Sequence, residues 1–291
     1  MGNFTNMGND KTFNQFAVIG YPIEHSLSPI LHNDIFQQLN LNAQYKKIQI
    51  PPNDLTDFVK AISQRNLNGF NITIPHKTDI LSYLDHINPR AKEIGAVNCV
   101  LNKNNKLWGF NTDWYGFSML LKNNDVNISG KTILILGAGG VAYSALYSLI
   151  SENAGKIFII NRTHKNTIKL IDNFKSNSEN MEIIGLNSED IIANQIDIII
   201  NCTPLGMSPQ QKKTPISKDL ILPQHIIIDT IYTPLKTRLL HEAESIGAKI
   251  INGLDMFIYQ GLASIDIWYG ENVSKKVNHN LIKEKIIRIL C

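Results

Sequence analysis

The chain has 291 residues, a net charge of +3 and 43% apolar residues, enough for two cores of ordinary domain size in a globular protein. Its lysines are scattered among asparagines and isoleucines and form no basic block, so no nucleic-acid partner is expected. No apolar run approaches the roughly 20 residues that span a bilayer, and the polar residues 1–15 lack the apolar centre of a signal peptide; the expectation is a cytoplasmic protein without a membrane partner.

Short apolar, β-branched runs alternate with stretches of helical period, the pattern of βαβ units around a mostly parallel sheet, so the expected fold class is α/β. Residues 16–20 read as the first strand. Ser28-Pro29 follows, then Leu31, Ile35 and Leu39 at helical spacing, closed by Asn40. A strand over 45–50, a helix around Phe58, Val59 and Ile62, and a strand over 70–73 come next. The last of these ends at Ile74-Pro75, where Pro75 can open a helix through Ile80, Leu81 and Leu84. Strands over 96–101 and 106–110 flank the turn-forming residues 102–105 and read as a hairpin, after which the first domain ends. A polar patch over 122–130 then leads to a strand over 132–136, a glycine cluster and a small-residue helix to Ile150. Further strands are predicted over 157–160, 181–184, 196–200, 226–229 and 249–251, with helices around 256–268 and 281–290.

The three cysteines, Cys99, Cys202 and Cys291, are widely spaced and show no CxxC or Cys/His ligand pattern. No disulfide framework and no metal site are expected, and Cys99 and Cys202 read as small core residues at strand ends. The histidines carry no HExxH pair, and no GxSxG elbow is present, which leaves metalloprotease and serine hydrolase chemistry without support.

Gly137-Ala138-Gly139-Gly140-Val141-Ala142 matches GxGxxG/A between a predicted strand and a predicted helix. Glycine is needed there because backbone must approach a pyrophosphate closely while the free N–H groups of the helix start face the anion. An acidic residue about twenty positions further on would bind the ribose 2′-hydroxyl of NAD. This chain instead has Asn161-Arg162-Thr163-His164-Lys165, which sets a guanidinium, a hydroxyl and an ammonium where a 2′-phosphate would lie, and NADP(H) is the inferred cofactor.

Two earlier segments run from a strand into a polar turn. In Asn71-Ile72-Thr73-Ile74-Pro75-His76-Lys77, a helix opened by Pro75 would place Lys77 in its first turn, where the dipole disfavours the ammonium and tunes the lysine for proton transfer. In Asn111-Thr112-Asp113, Thr112 or Asp113 can cap the following helix; a carboxylate beside Lys77 would also orient its ammonium and hold a substrate hydroxyl. Ser26-Leu27-Ser28-Pro29 carries the same two readings, with Ser28 as an N-cap or the two serines as a grip for a carboxylate.

Taken in order from about Phe16 to Trp268, these motifs resemble the shikimate dehydrogenase family: Ser26-Leu27-Ser28-Pro29, Asn71 to Lys77, Gly95-Ala96-Val97-Asn98 and Gly109 to Asp113 in the first half. The second half continues it with Gly137-Ala138-Gly139-Gly140, Asn161-Arg162-Thr163, Asn201-Cys202-Thr203-Pro204-Leu205-Gly206-Met207, Asp229-Thr230-Ile231-Tyr232, and Gly253 through Met256 to Gln260. Cys99 and Cys202 depart from it, standing where the family has Thr and Ala.

The resemblance implies an N-terminal open α/β substrate domain over 1–115, rejoined by C-terminal helices over 254–291, and a Rossmann-type doubly wound NADP-binding domain over 116–253, with a cleft between them. Lys77 and Asp113 would form the catalytic pair. Ser26, Ser28 and Tyr232 would hold the substrate carboxylate, and Thr73, Asn98 and Gln260 its ring hydroxyls. Gly137, Ala138, Gly139, Gly140 and Ala142 would shape the pyrophosphate turn, while Asn161, Arg162, Thr163 and Lys165 would bind the adenosine phosphate. Thr203, Met207 and Gly253 would complete the cofactor site, the last two near nicotinamide. The implied reaction is reversible reduction of 3-dehydroshikimate to shikimate in aromatic amino acid synthesis, by a monomer or a homodimer. A quinate/shikimate dehydrogenase, a branch that often prefers NAD, and a non-catalytic NADP(H)-binding regulator are the competing readings; the Asn161-Arg162-Thr163 segment opposes the first, and retention of both Lys77 and Asp113 the second.

Overall fold

Apolar runs of period two and of continuous Ile and Leu become two separate six-stranded sheets in the computed structural model, which describes residues 13–175, 181–187 and 190–291. The polar start of the chain lies, up to residue 12, outside the described residues. The chain divides into two compact units: residues up to Thr112 together with Ile258–Ile289, and Asp113–Phe257.

The first unit begins β1 (Asn14–Gly20), α1 (Ser28–Gln38), β2 (Ala43–Gln49), α2 (Leu55–Lys60) and β3 (Gly69–Ile72). It continues with β4 (His86–Ile87), α3 (Pro89–Ile94), β5 (Cys99–Lys103) and β6 (Lys106–Phe110). Its strand order is β2-β1-β3-β5-β6-β4. The sheet is mixed: β1 pairs parallel with β2 and β3, but β5 runs antiparallel to both β3 and β6. The reversal comes from the β5–β6 hairpin, whose turn residues Asn104 and Asn105 both have positive φ, the conformation that asparagine tolerates and two-residue hairpins require.

Two expectations are corrected here. Residues 79–83 form a 3-10 turn and not an α-helix, and residues 96–98 lie outside any strand, β5 beginning only at Cys99. The sequence reading also missed α3, although its signals are present: Asn88 accepts the Arg90 N–H at 3.0 Å, Pro89 opens the helix, and Gly95 closes it at φ 77°.

The second unit holds α4 (Asp113–Asn123), β7 (Thr132–Leu136), α5 (Gly140–Ser151), β8 (Lys156–Ile160), α6 (His164–Phe174) and β9 (Glu182–Gly185). β10 (Ile198–Asn201), β11 (Ile226–Asp229), α7 (Arg238–Ile246) and β12 (Lys249–Ile251) complete it. Its strands run β12-β11-β10-β7-β8-β9, all parallel, the doubly wound Rossmann order. Strand alternation explains the two faces. Ile133, Ile135, Ile198 and Ile200 pack with α4, α5 and α6 residues such as Phe117, Leu146 and Leu170, whereas Leu134, Leu136 and Ile199 pack with Leu239, Leu240 and Ala243 of α7. Neither α6 nor α7 was among the predicted helices.

The chain closes with α8 (Leu254–Tyr269) and α9 (His279–Leu290). The part of α8 in the first unit covers that sheet: the Trp268 ring stacks on Phe16 at 4.5 Å and donates its N–H to the Val100 carbonyl at 3.0 Å. Gly69 permits this, since a Cβ there would stand 2.5 Å from the indole nitrogen. No helix among the described residues is long and apolar enough to cross a membrane, and no described group of three His, Cys, Asp or Glu is placed to hold a metal ion.

His32 on α1 is fully buried, stacked on Tyr45 at 4.2 Å, and burial pulls its imidazole from 6.5 down to about 3. The folded protein therefore keeps His32 neutral across a range in which the unfolded chain binds a proton. Stability contributed by the neutral ring is complete above about pH 6.5 and is lost progressively as pH falls toward 3. Replacing His32→Phe keeps the stacked ring and removes the titration, so the loss of unfolding free energy between about pH 7.5 and about pH 5 should shrink by about 2 kcal/mol, measured by urea denaturation.

Candidate active site

In the first unit the carboxyl ends of β1, β3 and β6 and the amino end of β5 share one sheet edge, because β5 is antiparallel to its neighbours. Every first-unit residue singled out in the first half of the sequence lies on chain leaving or entering that edge. The segment after β1 carries Ser26 and Ser28, whose hydroxyls hydrogen-bond at 3.1 Å. Beside it runs the turn after β3, since the Tyr21 N–H donates to the Ile74 carbonyl at 2.8 Å and Thr73 donates to Ile19 at 2.9 Å. Ser28 is the first helical residue of α1 and Leu27 precedes it, so the N-cap reading of Ser28 is not realised.

Lys77 sits in that turn, before the 3-10 segment, and is buried. No α-helix starts at Pro75, and the dipole expected to act on Lys77 is absent. What positions the lysine is backbone pairing: its carbonyl accepts the Val97 N–H at 2.8 Å, which brings the turn beside Asn98.

Asn98 is held on both ends of its amide. The Thr112 backbone N–H donates to Asn98 Oδ1 at 2.6 Å, and Asn98 Nδ2 donates to Thr112 Oγ1 at 2.9 Å and Gln260 Oε1 at 3.4 Å. Because a backbone N–H can only donate, the oxygen and nitrogen of this amide are assigned unambiguously. The Thr112 hydroxyl is thus committed to Asn98, and the next residue, buried Asp113, opens α4 as the first residue of the second unit. Of the proposed substrate residues, Ser26, Ser28, Thr73, Lys77, Asn98 and Gln260 belong to the first unit and Asp113 and Tyr232 to the second.

The second unit gathers its candidates in the same way, at the carboxyl edge of a parallel sheet and around the point between β7 and β10 where strand order reverses. Gly137 follows β7 with φ 108°, and a Cβ on it would stand 3.0 Å from Thr203 Cγ2 and 3.1 Å from the Cys202 carbonyl. Ala138 and Ala142 are buried beneath the turn. Gly139 precedes α5, with Gly140 its first residue, and a Cβ on Gly139 would meet no atom within 4 Å. The N–H groups of the first two helical residues, Gly140 and Val141, lack intrahelical acceptors, so this open ground is suited to an anion.

After β8, the exposed Arg162, Thr163 and Lys165 stand at the start of α6, with the Asn161 amide donating to the Thr163 carbonyl at 2.9 Å. Past β10, Asn201 Oδ1 receives the Thr203 N–H at 2.9 Å and its hydroxyl at 2.7 Å, which shapes the loop to Met207. Asn201 Nδ2 also donates to the fully buried Asp229, whose other oxygen accepts the Thr237 hydroxyl at 2.6 Å. Burial pushes the Asp229 carboxyl up to about 6 against those hydrogen bonds, and burial also raises the Cys202 thiol. Tyr232 stacks on Phe257 at 4.0 Å, and Gly253 packs where a Cβ would overlap the Thr230 carbonyl at 2.2 Å.

A family model described as the shikimate dehydrogenase substrate binding domain matches residues 18–100, and one described as shikimate / quinate 5-dehydrogenase matches residues 119–212. The shikimate dehydrogenase (NADP(+)) of Staphylococcus epidermidis is 41% identical over 272 residues, covering 94% of this chain and 98% of that protein. The chain belongs to the shikimate dehydrogenase family. Solved family members agree in fold. The shikimate dehydrogenase of Aquifex aeolicus superposes with a TM-score of 0.83 at 35% identity, covering 96% of this chain and 99% of that one. The shikimate 5-dehydrogenase of Listeria monocytogenes, in complex with shikimate and NAD, gives 0.81 at 33% identity, covering 98% and 100%.

Residues that the sequence reading of this family member left without a role are Asn201, Asp229 and Thr237 in the second unit and Tyr45 and Ser264 in the first. Asn201 and Asp229 stand at strand ends within the quoted motifs, Thr237 caps α7, Tyr45 lies within β2 and Ser264 on an apolar helix, positions that by themselves point to no partner. The two glycines of the β7 turn make opposite demands. Gly137→Ala forces a side chain into a left-handed conformation against Thr203 and should lower stability by about 1–3 kcal/mol, while Gly139→Ala should change it by less than about 1 kcal/mol. Urea midpoints of the two variants compare these directly.

Proposed function

We infer that this protein is an NADP-dependent shikimate dehydrogenase, which interconverts shikimate and 3-dehydroshikimate and works toward reduction by NADPH in aromatic amino acid synthesis. The reading is carried by one observation: in a chain 41% identical to an NADP-dependent relative, the family's motif residues stand along the loop-bearing edges of the two sheets. The first unit with the C-terminal helices is the substrate domain, and the second binds the cofactor.

The β7 turn fits a dinucleotide. Gly139 leaves open the space a Cβ would fill, Gly137 takes the conformation that brings backbone close, and α5 offers its N–H groups. Gly137, Ala138, Gly139, Gly140 and Ala142 would hold the pyrophosphate, Thr203, Met207 and Gly253 the nicotinamide side, and Asn161, Arg162, Thr163 and Lys165 the 2′-phosphate. Two cations and no carboxylate over 161–165 support NADP over NAD. NADP, when bound, supplies the hydride acceptor, and NADPH the donor.

Ser26, Ser28 and Tyr232 bind the substrate carboxylate; Thr73, Asn98 and Gln260 bind ring oxygens. Lys77 donates a proton to the carbonyl oxygen as it becomes a hydroxyl and withdraws it in the reverse direction. Asp113 orients the ammonium and holds the same hydroxyl. A cytoplasmic monomer or homodimer is part of this reading.

Initial rates of shikimate oxidation, followed by nicotinamide absorbance with NADP and NAD side by side and quinate in parallel, test it. NADP-linked turnover of shikimate with little on quinate is expected; comparable quinate turnover with NAD would move the protein to the broader branch, and none with folded, NADP-binding protein would make it a regulator. Lys77→Ala should lower kcat by ~10²–10⁴-fold with a much smaller change in the shikimate KM, and normal turnover would remove the acid/base role. Arg162→Ala should raise the NADP KM by roughly 10–100-fold while leaving shikimate affinity near its original value, both read from the same assay.

A further inference from the structure

We propose that Ser264, on the buried face of α8, is a positioning residue for the Asn98 and Gln260 amides. The proposal rests on the assignment of those two amides to substrate. Strand alternation creates the arrangement. Phe70 and Ile72 of β3 join an apolar core cluster, so Asn71 between them points to the opposite face, where Ser264 lies. An asparagine in the middle of a buried strand is costly unless its amide is fully paired.

It is fully paired, and each bond has a fixed direction. Asn71 Nδ2 lies 3.1 Å from the Asn98 carbonyl, which can only accept, and this identifies the nitrogen. The Tyr45 hydroxyl donates to Asn71 Oδ1 at 2.8 Å. The second hydrogen on Asn71 Nδ2 goes to Ser264 Oγ at 2.9 Å. Ser264 spends its own proton on the Gln260 carbonyl one turn earlier, at 3.0 Å, so toward Asn71 its oxygen acts as acceptor. Thr112 Oγ1, which receives Asn98 Nδ2, lies 3.4 Å from the same serine oxygen.

Ser264 therefore stands beside both groups that hold Asn98: it accepts from Asn71, whose amide also donates to the Asn98 backbone carbonyl, and it lies against Thr112, which holds the Asn98 amide. It also ties the turn of α8 that carries Gln260. The residue is fully buried, so its effect on substrate passes through those partners. Removing the hydroxyl strands one Asn71 N–H in the interior and loosens the placement of both amides without altering the lysine, the carboxylate or the cofactor turn.

The test is steady-state kinetics of Ser264→Ala and, separately, Tyr45→Phe, which removes the other directional bond on Asn71 while keeping the ring on His32. Both should raise the shikimate KM, Ser264→Ala by roughly 5-fold, with kcat and the NADP KM changed by less than about 2-fold. In a Gln260→Ala background the effect of Ser264→Ala on the shikimate KM should fall, because the part of it that passes through Gln260 is already lost. An unchanged shikimate KM in the folded variants, an equal rise in both KM values, or full additivity with Gln260→Ala overturns the proposal; should Ser264→Ala fail to fold, Tyr45→Phe decides it alone. Absence of NADP-linked shikimate turnover in the wild-type protein would instead defeat the functional reading itself, and the positioning role with it, before any variant is compared.

Discussion

A parallel sheet forces the chain to leave every strand at the same edge, and the placement of the candidate site residues follows from that constraint. Each crossover must return to the opposite edge before the next strand begins, so the loops after β7, β8, β10, β11 and β12 line one rim of the second sheet. The first sheet reaches the same result with fewer parallel pairs. Its hairpin turns β5 around, which brings the amino end of β5, and with it Asn98, to the rim already occupied by the ends of β1 and β3. Lys77 and Asn98 are neighbours by this reversal, through the Val97 to Lys77 backbone bond.

Both units also bury asparagine on a central strand, Asn71 in β3 and Asn201 in β10. In each the amide is saturated by partners from other elements. Asn201 joins Asp229 and the loop residues Thr203 and Leu205, while Asn71 joins Tyr45, Asn98 and Ser264. An unpaired buried amide would cost about 1–3 kcal/mol, so the core favours the arrangement of the surrounding loops that pairs it. Polar saturation thereby gives loops at a sheet rim the precision of strand positions. Asp229 carries the electrostatic side of this arrangement, a carboxyl raised toward 6 by burial and restrained by Thr237, Ile231 and Asn201.

Most strands and the glycine turn after β7 were legible in the sequence because their causes are local. Continuous Ile and Leu at 132–136 and 226–229 are strands to the residue, and the glycine cluster marks the turn between β7 and α5. Helices α3, α6 and α7 were missed. In α3 the caps sit close together around only six residues, too few for a helical period to show. The error at Lys77 has a different origin: a proline after a strand admits either a helix start or a continued turn, and the fold takes the turn, held by Val97 on a segment twenty residues away. For Ser28 and Thr112, capping and tertiary pairing compete for the same hydroxyl; Thr112 is taken by Asn98.

By itself the sequence determined the α/β class, the glycine turn between β7 and α5, the basic residues after β8 and the identity of the motif residues, since each depends on periodicity, glycine conformation or charge within a few neighbours. Only the tertiary structure decided how those residues are held. Ser264 meets Asn71 across 193 positions of chain and Gln260 meets Asn98 across 162. Such pairings follow from which faces of strand and helix are buried together, and that is set by the packing of the whole unit and by no local rule.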